Sequence, residues 1–185
     1  MTELHQSPHM GWGRLAAMVA VSTGVMFALM YQLVYSADHV YFSLNRFLSS
    51  LIMGGVMTSV MLGFMWKMYR PRVVKLAALW GGIAIAVLLL AINRSQVLVG
   101  DSEFMEAMIP HHSIAINNAR KAHITDPRVR KLADGIIASQ VREIEEMQIL
   151  TADIRRHGSR GSAELPALPA VVTPEMSQQI AEAVQ

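Results

Sequence analysis

The chain is 185 residues long, 52% hydrophobic and 16% charged, with a formal net charge of +2 at pH 7. It contains no cysteine, which excludes disulfide bonds, thiolate metal sites and cysteine catalysis. The small basic excess is typical of membrane proteins, whose helix ends are enriched in cationic residues, and we find no motif for nucleic acid or nucleotide binding.

Three apolar stretches in the first half are predicted to cross a membrane, over residues 15–34, 47–66 and 76–92. A helix needs about 20 mostly apolar residues to cross a hydrocarbon core of roughly 30 Å. None of the three contains Asp, Glu, Lys or Arg. The first is too long for a signal-peptide core and lacks a small-x-small cleavage site, so we predict that it remains uncleaved.

The loops between these stretches predict the orientation. The loop between the second and third holds Lys67, Arg70, Arg72 and Lys75, whereas the loop between the first and second holds Arg46. Basic loops stay in the cytoplasm. The sequence therefore predicts a multi-pass protein of the bacterial plasma (inner) membrane, with a cytoplasmic N-terminus and a periplasmic, extracytoplasmic C-terminal domain.

The polar second half predicts two antiparallel helices. The first runs from Asp101 to about His123, and the second runs from Pro127 to about Arg156. Asp126 is suited to cap the second helix, and proline is favoured at the first helical position. The fold class is thus all-α: three transmembrane helices followed by an extracytoplasmic antiparallel helical hairpin, which is half of a ferritin-like bundle.

Polar and sulfur-containing side chains lie on the inward faces of both hairpin helices, where an unpaired carboxylate or amide would be costly. Antiparallel helices joined by a short turn pack face to face, so the two sets are predicted to meet as one site. The sets are Met105, Met108 and His112 on the first helix, with His111 at its margin, and Gln140, Glu143 and Met147 on the second.

The side-chain chemistry of this site favours copper among the transition metals. Thioethers are soft ligands that select Cu(I), and imidazole suits copper as well as zinc. Two other interpretations stay open at this point. Methionine is commonly a packing residue, and Glu143 and Gln140 could simply satisfy His112 in a metal-free polar network.

The segment from Asp101 to about Ile154 resembles the bacterial family catalogued as domain of unknown function 305, whose members are ferritin-like helical hairpins. The first motif that carries the resemblance is Phe104, Met105, Met108, Ile109, Pro110, His111, His112, Ala115 and Ile116. The second is Gln140, Glu143, Ile144 and Met147.

Some members of that family are periplasmic copper-binding proteins linked to copper resistance. The resemblance therefore implies a copper ion, with Cu(I) favoured. The candidate ligands are Met105, Met108, His111, His112, Glu143 and Met147. Gln140 is expected to hydrogen-bond to a ligand rather than to bind the metal itself. This chain has one hairpin rather than tandem hairpins, and a single hairpin is a poor independent fold. We expect it to form a homodimer, as a four-helix bundle, or to pack on the membrane domain.

These observations predict four regions and one leading function. The regions are a cytoplasmic leader over 1–14, a transmembrane domain over 15–94, a metal-binding hairpin over 95–157 and a flexible tail with a short helix over 158–185. The leading function is a membrane-anchored protein that binds copper for sequestration, handover or resistance. The alternative is a structural or interaction module whose buried His, Glu and Gln network specifies helix pairing without metal. We see no nucleophile, phosphate loop or substrate pocket, and we predict that the protein is not an enzyme.

Overall fold

The computed structural model describes residues 11–184, so most of the predicted leader over 1–14 lies outside the described residues. The described part of the chain forms six α-helices and one short 3-10 helix, and it contains no β-strand. This confirms the predicted all-α class. The helices are α1 (Trp12–Leu29), α2 (Leu44–Phe64), α3 (Arg72–Ser95), α4 (Asp101–Lys121), α5 (Pro127–His157) and α6 (Pro174–Ala183), with the 3-10 helix at Ala37–His39.

Helices α1, α2 and α3 are long and apolar enough to cross a membrane. The first ends at Leu29, five residues before the predicted end of the first span. The Met30 amide is shared between the carbonyls of Met26 and Phe27, at 3.1 and 3.3 Å, and the Tyr31 amide bonds the residue three positions earlier. Hydrogen bonds of this 3-10 type tighten the last turn, and the helix stops there.

Small residues bring α2 and α3 close together. A Cβ atom added to Gly55 would lie 2.8 Å from the carbonyl oxygen of Gly82, which is too near for any other residue. The Ser59 hydroxyl also donates to the carbonyl of Leu79 across the same interface, at 3.3 Å. Small residues that allow close backbone approach are a common means of helix association within membranes.

The chain divides into two compact units that do not follow chain order. One contains the described residues up to Gln32 together with Tyr41–Ala107, and the other contains Leu33–Val40 together with the chain from Met108 onward. The short segment between α1 and α2 thus belongs to the same unit as the hairpin. Nothing in the sequence indicated this assignment.

The turn of the hairpin forms as its sequence predicts. The Asp126 side chain accepts a hydrogen bond from the Arg128 amide at 2.8 Å, and Pro127 takes the first helical position. The Arg130 guanidinium then donates twice to the Ala119 carbonyl, each time at 3.1 Å. These bonds satisfy exposed backbone groups at the end of α4 and the start of α5.

The Leu33–Val40 segment packs on α4 through one buried hydroxyl. Ser113 is fully buried, and its Oγ atom accepts a hydrogen bond from the Tyr35 amide at 2.8 Å. The same Oγ atom lies 2.9 Å from Nδ1 of His39. The Arg120 guanidinium lies 4.9 Å from the centre of the Tyr35 ring, a cation–π arrangement that adds a second contact between Tyr35 and α4.

Candidate metal centre

A histidine and a carboxylate bridge the two hairpin helices. His112 Nε2 on α4 lies 2.7 Å from Glu143 Oε2 on α5. Nδ1 of the same ring lies 2.9 Å from the carbonyl oxygen of Met108. Both ring nitrogens therefore face oxygen atoms, and the ring is held at two points.

The partners of His112 determine where its protons lie. The Met108 carbonyl can only accept, so Nδ1 donates to it and carries a proton. In a neutral imidazole Nε2 would then be an acceptor, and it could not hydrogen-bond to a carboxylate that also only accepts. The 2.7 Å contact with Glu143 therefore requires a proton between the two atoms.

The other carboxylate oxygen of Glu143 is also engaged. The Ser139 hydroxyl, one turn earlier on α5, donates to Oε1 at 2.5 Å. This hydrogen bond first, and the one from His112 second, hold the pKa of Glu143 below its ordinary value. The His112 side chain is 10% exposed and that of Glu143 is 35% exposed, so solvent and ions reach the bridge from the carboxylate side.

Two methionines lie one turn from this bridge. In an antiparallel pair, the residue one turn before His112 lies opposite the residue one turn after Glu143. These residues are Met108, which is half-buried, and Met147, which is buried. Helix register thus puts two thioethers on the same helix faces as the imidazole and the carboxylate.

The remaining predicted residues are His111, Gln140 and Met105, and their surroundings differ. His111 is exposed, with its ring centre 6.1 Å from that of His112. Gln140 has a buried Oε1 atom without a hydrogen-bond partner. Met105 is buried on the part of α4 that belongs to the other compact unit. The metal-binding roles of all six predicted ligands stay predictions.

Within residues 11–184, no three His, Cys, Asp or Glu side chains are arranged to hold a metal ion. A site at this position would therefore depend on thioether sulfur in addition to His112 and Glu143.

The sequence analysis did not identify two hydroxyls near the bridge. Ser139 stands four residues before Glu143, a spacing that predicts contact on a helix. Ser113 could not be found in this way, because its partners are distant in the sequence.

The carboxylate of Glu143 should make the metal-free protein sensitive to acid. A carboxyl whose pKa is lower in the folded than in the unfolded chain contributes stability that is complete above the unfolded pKa and lost as pH falls through the folded value. We expect the thermal midpoint of the metal-free protein to drop as pH falls below about 4.5, the ordinary pKa, and to drop less in Glu143→Gln. The exposed Glu145→Gln serves as the control, and equal pH profiles for all three proteins would contradict the assignment.

Three apolar helices and a hairpin with a His–Glu bridge define the class of a membrane-anchored helical hairpin protein. The family model described as "Domain of unknown function (DUF305)" matches residues 81–182, a little over half of the chain. The chain belongs to this family, which confirms the resemblance found in its sequence.

One curated relative is the uncharacterized protein L153 of Acanthamoeba polyphaga mimivirus. It is 39% identical over 67 residues, which are 35% of this chain and 44% of that protein. The chain thus spans less than half of the length of this relative. No solved structure matches the chain.

Proposed function

We propose that this protein is a membrane-anchored, extracytoplasmic copper-binding protein that sequesters copper or hands it over. The observation that carries the proposal is the bridge in which His112 Nε2 faces Glu143 Oε2 at 2.7 Å. The bridge holds one shared proton between its two atoms. A Cu(I) ion has the same charge as that proton, and His112 and Glu143 would move apart to coordinate it, because two coordinate bonds of about 2 Å each do not fit within a 2.7 Å contact.

The neighbouring sulfur atoms supply the selectivity in this proposal. Met108 and Met147 are soft ligands that favour Cu(I), whereas zinc prefers imidazole, carboxylate and thiolate. A divalent ion would also add a charge beside the buried ring of His112. Glu143 then acts as the exposed end of the site, where an ion enters, and His111 lies beside it at the surface, available to a partner.

The location outside the cytoplasm is part of the proposal. It is supported by four cationic residues in the α2–α3 loop and the start of α3, against Arg46 at the start of α2. This pattern favours a bacterial plasma membrane with the hairpin on the outer, periplasmic side. Copper handling without catalysis is the role that we assign there.

We further propose that two hairpins pair into a four-helix bundle. The side chains of Val129, Leu132 and Ile136 on α5 are 48%, 66% and 37% exposed, which is a large apolar face for a soluble helix. Sedimentation of the full-length protein in detergent should give the mass of two chains plus detergent. A single-chain mass that is unchanged over a hundredfold concentration range would exclude the dimer.

A metal-free interaction module is the second candidate function. It is favoured by the hydrogen bonds of the bridge, because Ser139, Glu143, His112 and the Met108 carbonyl already form a continuous chain with one shared proton. Such a network can specify how helices pair without any ion.

Titration of the full-length protein in detergent with Cu(I), Cu(II) and Zn(II) separates the two functions. The copper proposal expects tight Cu(I) binding at one ion per hairpin and weaker Zn(II) binding. The interaction module expects no saturable binding of any of the three ions, although the protein is folded.

A further inference from the structure

The loop between α2 and α3 and the first turn of α3 surround a cavity of about 850 Å³ that is lined by cationic side chains. Lys67, Arg70, Arg72 and Lys75 all line it, together with Trp66 and Tyr69. The cavity belongs entirely to the compact unit that contains the three apolar helices. No residue of the hairpin or of the proposed copper site lines it.

The stretch of chain that lines this cavity carries no acidic residue to offset its positive charge. The sequence contains no Asp or Glu between Asp38 and Asp101. Lys75 is only 7% exposed, and its ammonium group donates to the Trp66 carbonyl at 2.6 Å and lies 4.0 Å from the centre of the Trp66 ring. A buried ammonium group without a carboxylate is costly, so a negative charge from outside the protein would stabilise this arrangement.

Two further features of the cavity favour an anion. Helix α3 begins here at Arg72, with no capping side chain and no acidic residue in its first turn, so its first backbone N–H groups are free to donate. Tyr69 is 1% exposed, and its hydroxyl has no hydrogen-bond partner. The cavity thus combines cationic groups, unused backbone donors and an unsatisfied hydroxyl.

The geometry points to the phosphate of an anionic phospholipid as the ligand of this cavity. The loop lies at the ends of two helices that are long and apolar enough to cross a membrane, which places it at the level of the lipid headgroups. Trp66 is typical of that level. The acyl chains would lie along the apolar surfaces of α2 and α3, where Val60, Val73 and Leu76 are exposed.

Native mass spectrometry of the full-length protein in a neutral detergent tests this assignment. The probes are dioleoylphosphatidylglycerol, which is anionic, dioleoylphosphatidylcholine, which has no net charge, and inorganic phosphate. Each basic residue near an anionic lipid changes binding by roughly fivefold. The double variant Arg70→Gln, Arg72→Gln should therefore bind the phosphatidylglycerol about 25-fold more weakly than the natural chain.

The matched control is Arg94→Gln, Lys121→Gln, which removes two exposed charges outside the loop. We expect this control to bind phosphatidylglycerol like the natural chain and all forms to bind phosphatidylcholine weakly. Equal binding of the two lipids, or equal losses in both double variants, would overturn the proposal. Saturation by inorganic phosphate at concentrations that displace the lipid would instead identify a free-phosphate site and would equally overturn the lipid assignment.

Discussion

Cu(I) binding is expected to weaken at least a hundredfold when Met108 is changed to Leu and His112 to Ala in the full-length protein. The first change removes a soft thioether, and the second removes the imidazole that faces Glu143. Loss of a group that only orients a ligand already costs roughly 10- to 100-fold in metal affinity, so loss of two ligands should cost more. Competition with a colorimetric Cu(I) chelator measures the change.

The matched control for this variant is Met176→Leu, His123→Ala. It makes the same two chemical changes at exposed positions outside the site. If the control binds Cu(I) as tightly as the unsubstituted protein and both variants keep their helicity, the loss of affinity is due to the site. Natural affinity in the Met108→Leu, His112→Ala variant would remove the copper proposal and leave the interaction module as the better function.

The single change Met108→Leu tests the role of sulfur. Leucine has a similar volume, so packing is largely kept while the soft ligand is lost. Cu(I) affinity should fall and Zn(II) affinity should stay unchanged, because zinc does not use thioethers. A parallel fall for both ions would indicate a packing effect of Met108 rather than coordination.

The second large effect is expected in the core beneath the site. Ile116 lies one turn after His112 on α4 and is 2% exposed. Truncation of a buried isoleucine to alanine removes apolar contacts and leaves a cavity, at a cost of roughly 2–5 kcal/mol. Ile116→Ala should therefore lower the protection of the α4 and α5 amides in hydrogen exchange. Hydrogen exchange is the preferred readout because it reports on α4 and α5 residue by residue.

Copper should reverse part of this damage if it binds the folded hairpin. A ligand at 100 times its dissociation constant stabilises the folded state by about 2.7 kcal/mol. Cu(I) should therefore restore much of the amide protection in Ile116→Ala. The control Ile180→Ala, whose side chain is 52% exposed, should lose little protection at the start. Failure of Cu(I) to protect a variant that retains its site would contradict binding at the hairpin.

Much of the architecture could be predicted because it depends on local or periodic signals. Three uninterrupted apolar stretches indicated the membrane helices, and Asp126 followed by Pro127 indicated the start of α5. The contact between His112 and Glu143 followed from helical spacing and a short turn. What this contact binds could not be predicted in the same way, because an imidazole–carboxylate pair serves equally as a polar network.

Features without a recognisable signal in the sequence could not be predicted. The first membrane helix ends early because the Met30 and Tyr31 amides change their hydrogen-bond partners, and no residue there is a strong helix breaker. The packing of Tyr35 and His39 on Ser113 joins residues more than 70 positions apart. Serine and histidine at these positions are ordinary in sequence, and only the folded chain shows that they meet.

The assignment of Leu33–Val40 to the hairpin unit means that this compact unit is not a continuous stretch of chain. A fragment limited to 95–157 would retain His112 and Glu143 but would lack Tyr35 and His39. Its Ser113 hydroxyl would lose both of the partners that it has in the full chain. The hairpin segment alone is therefore not an independent domain that can be excised or transplanted. Metal affinity should therefore be measured on a recombinant protein that includes the Leu33–Val40 segment between α1 and α2.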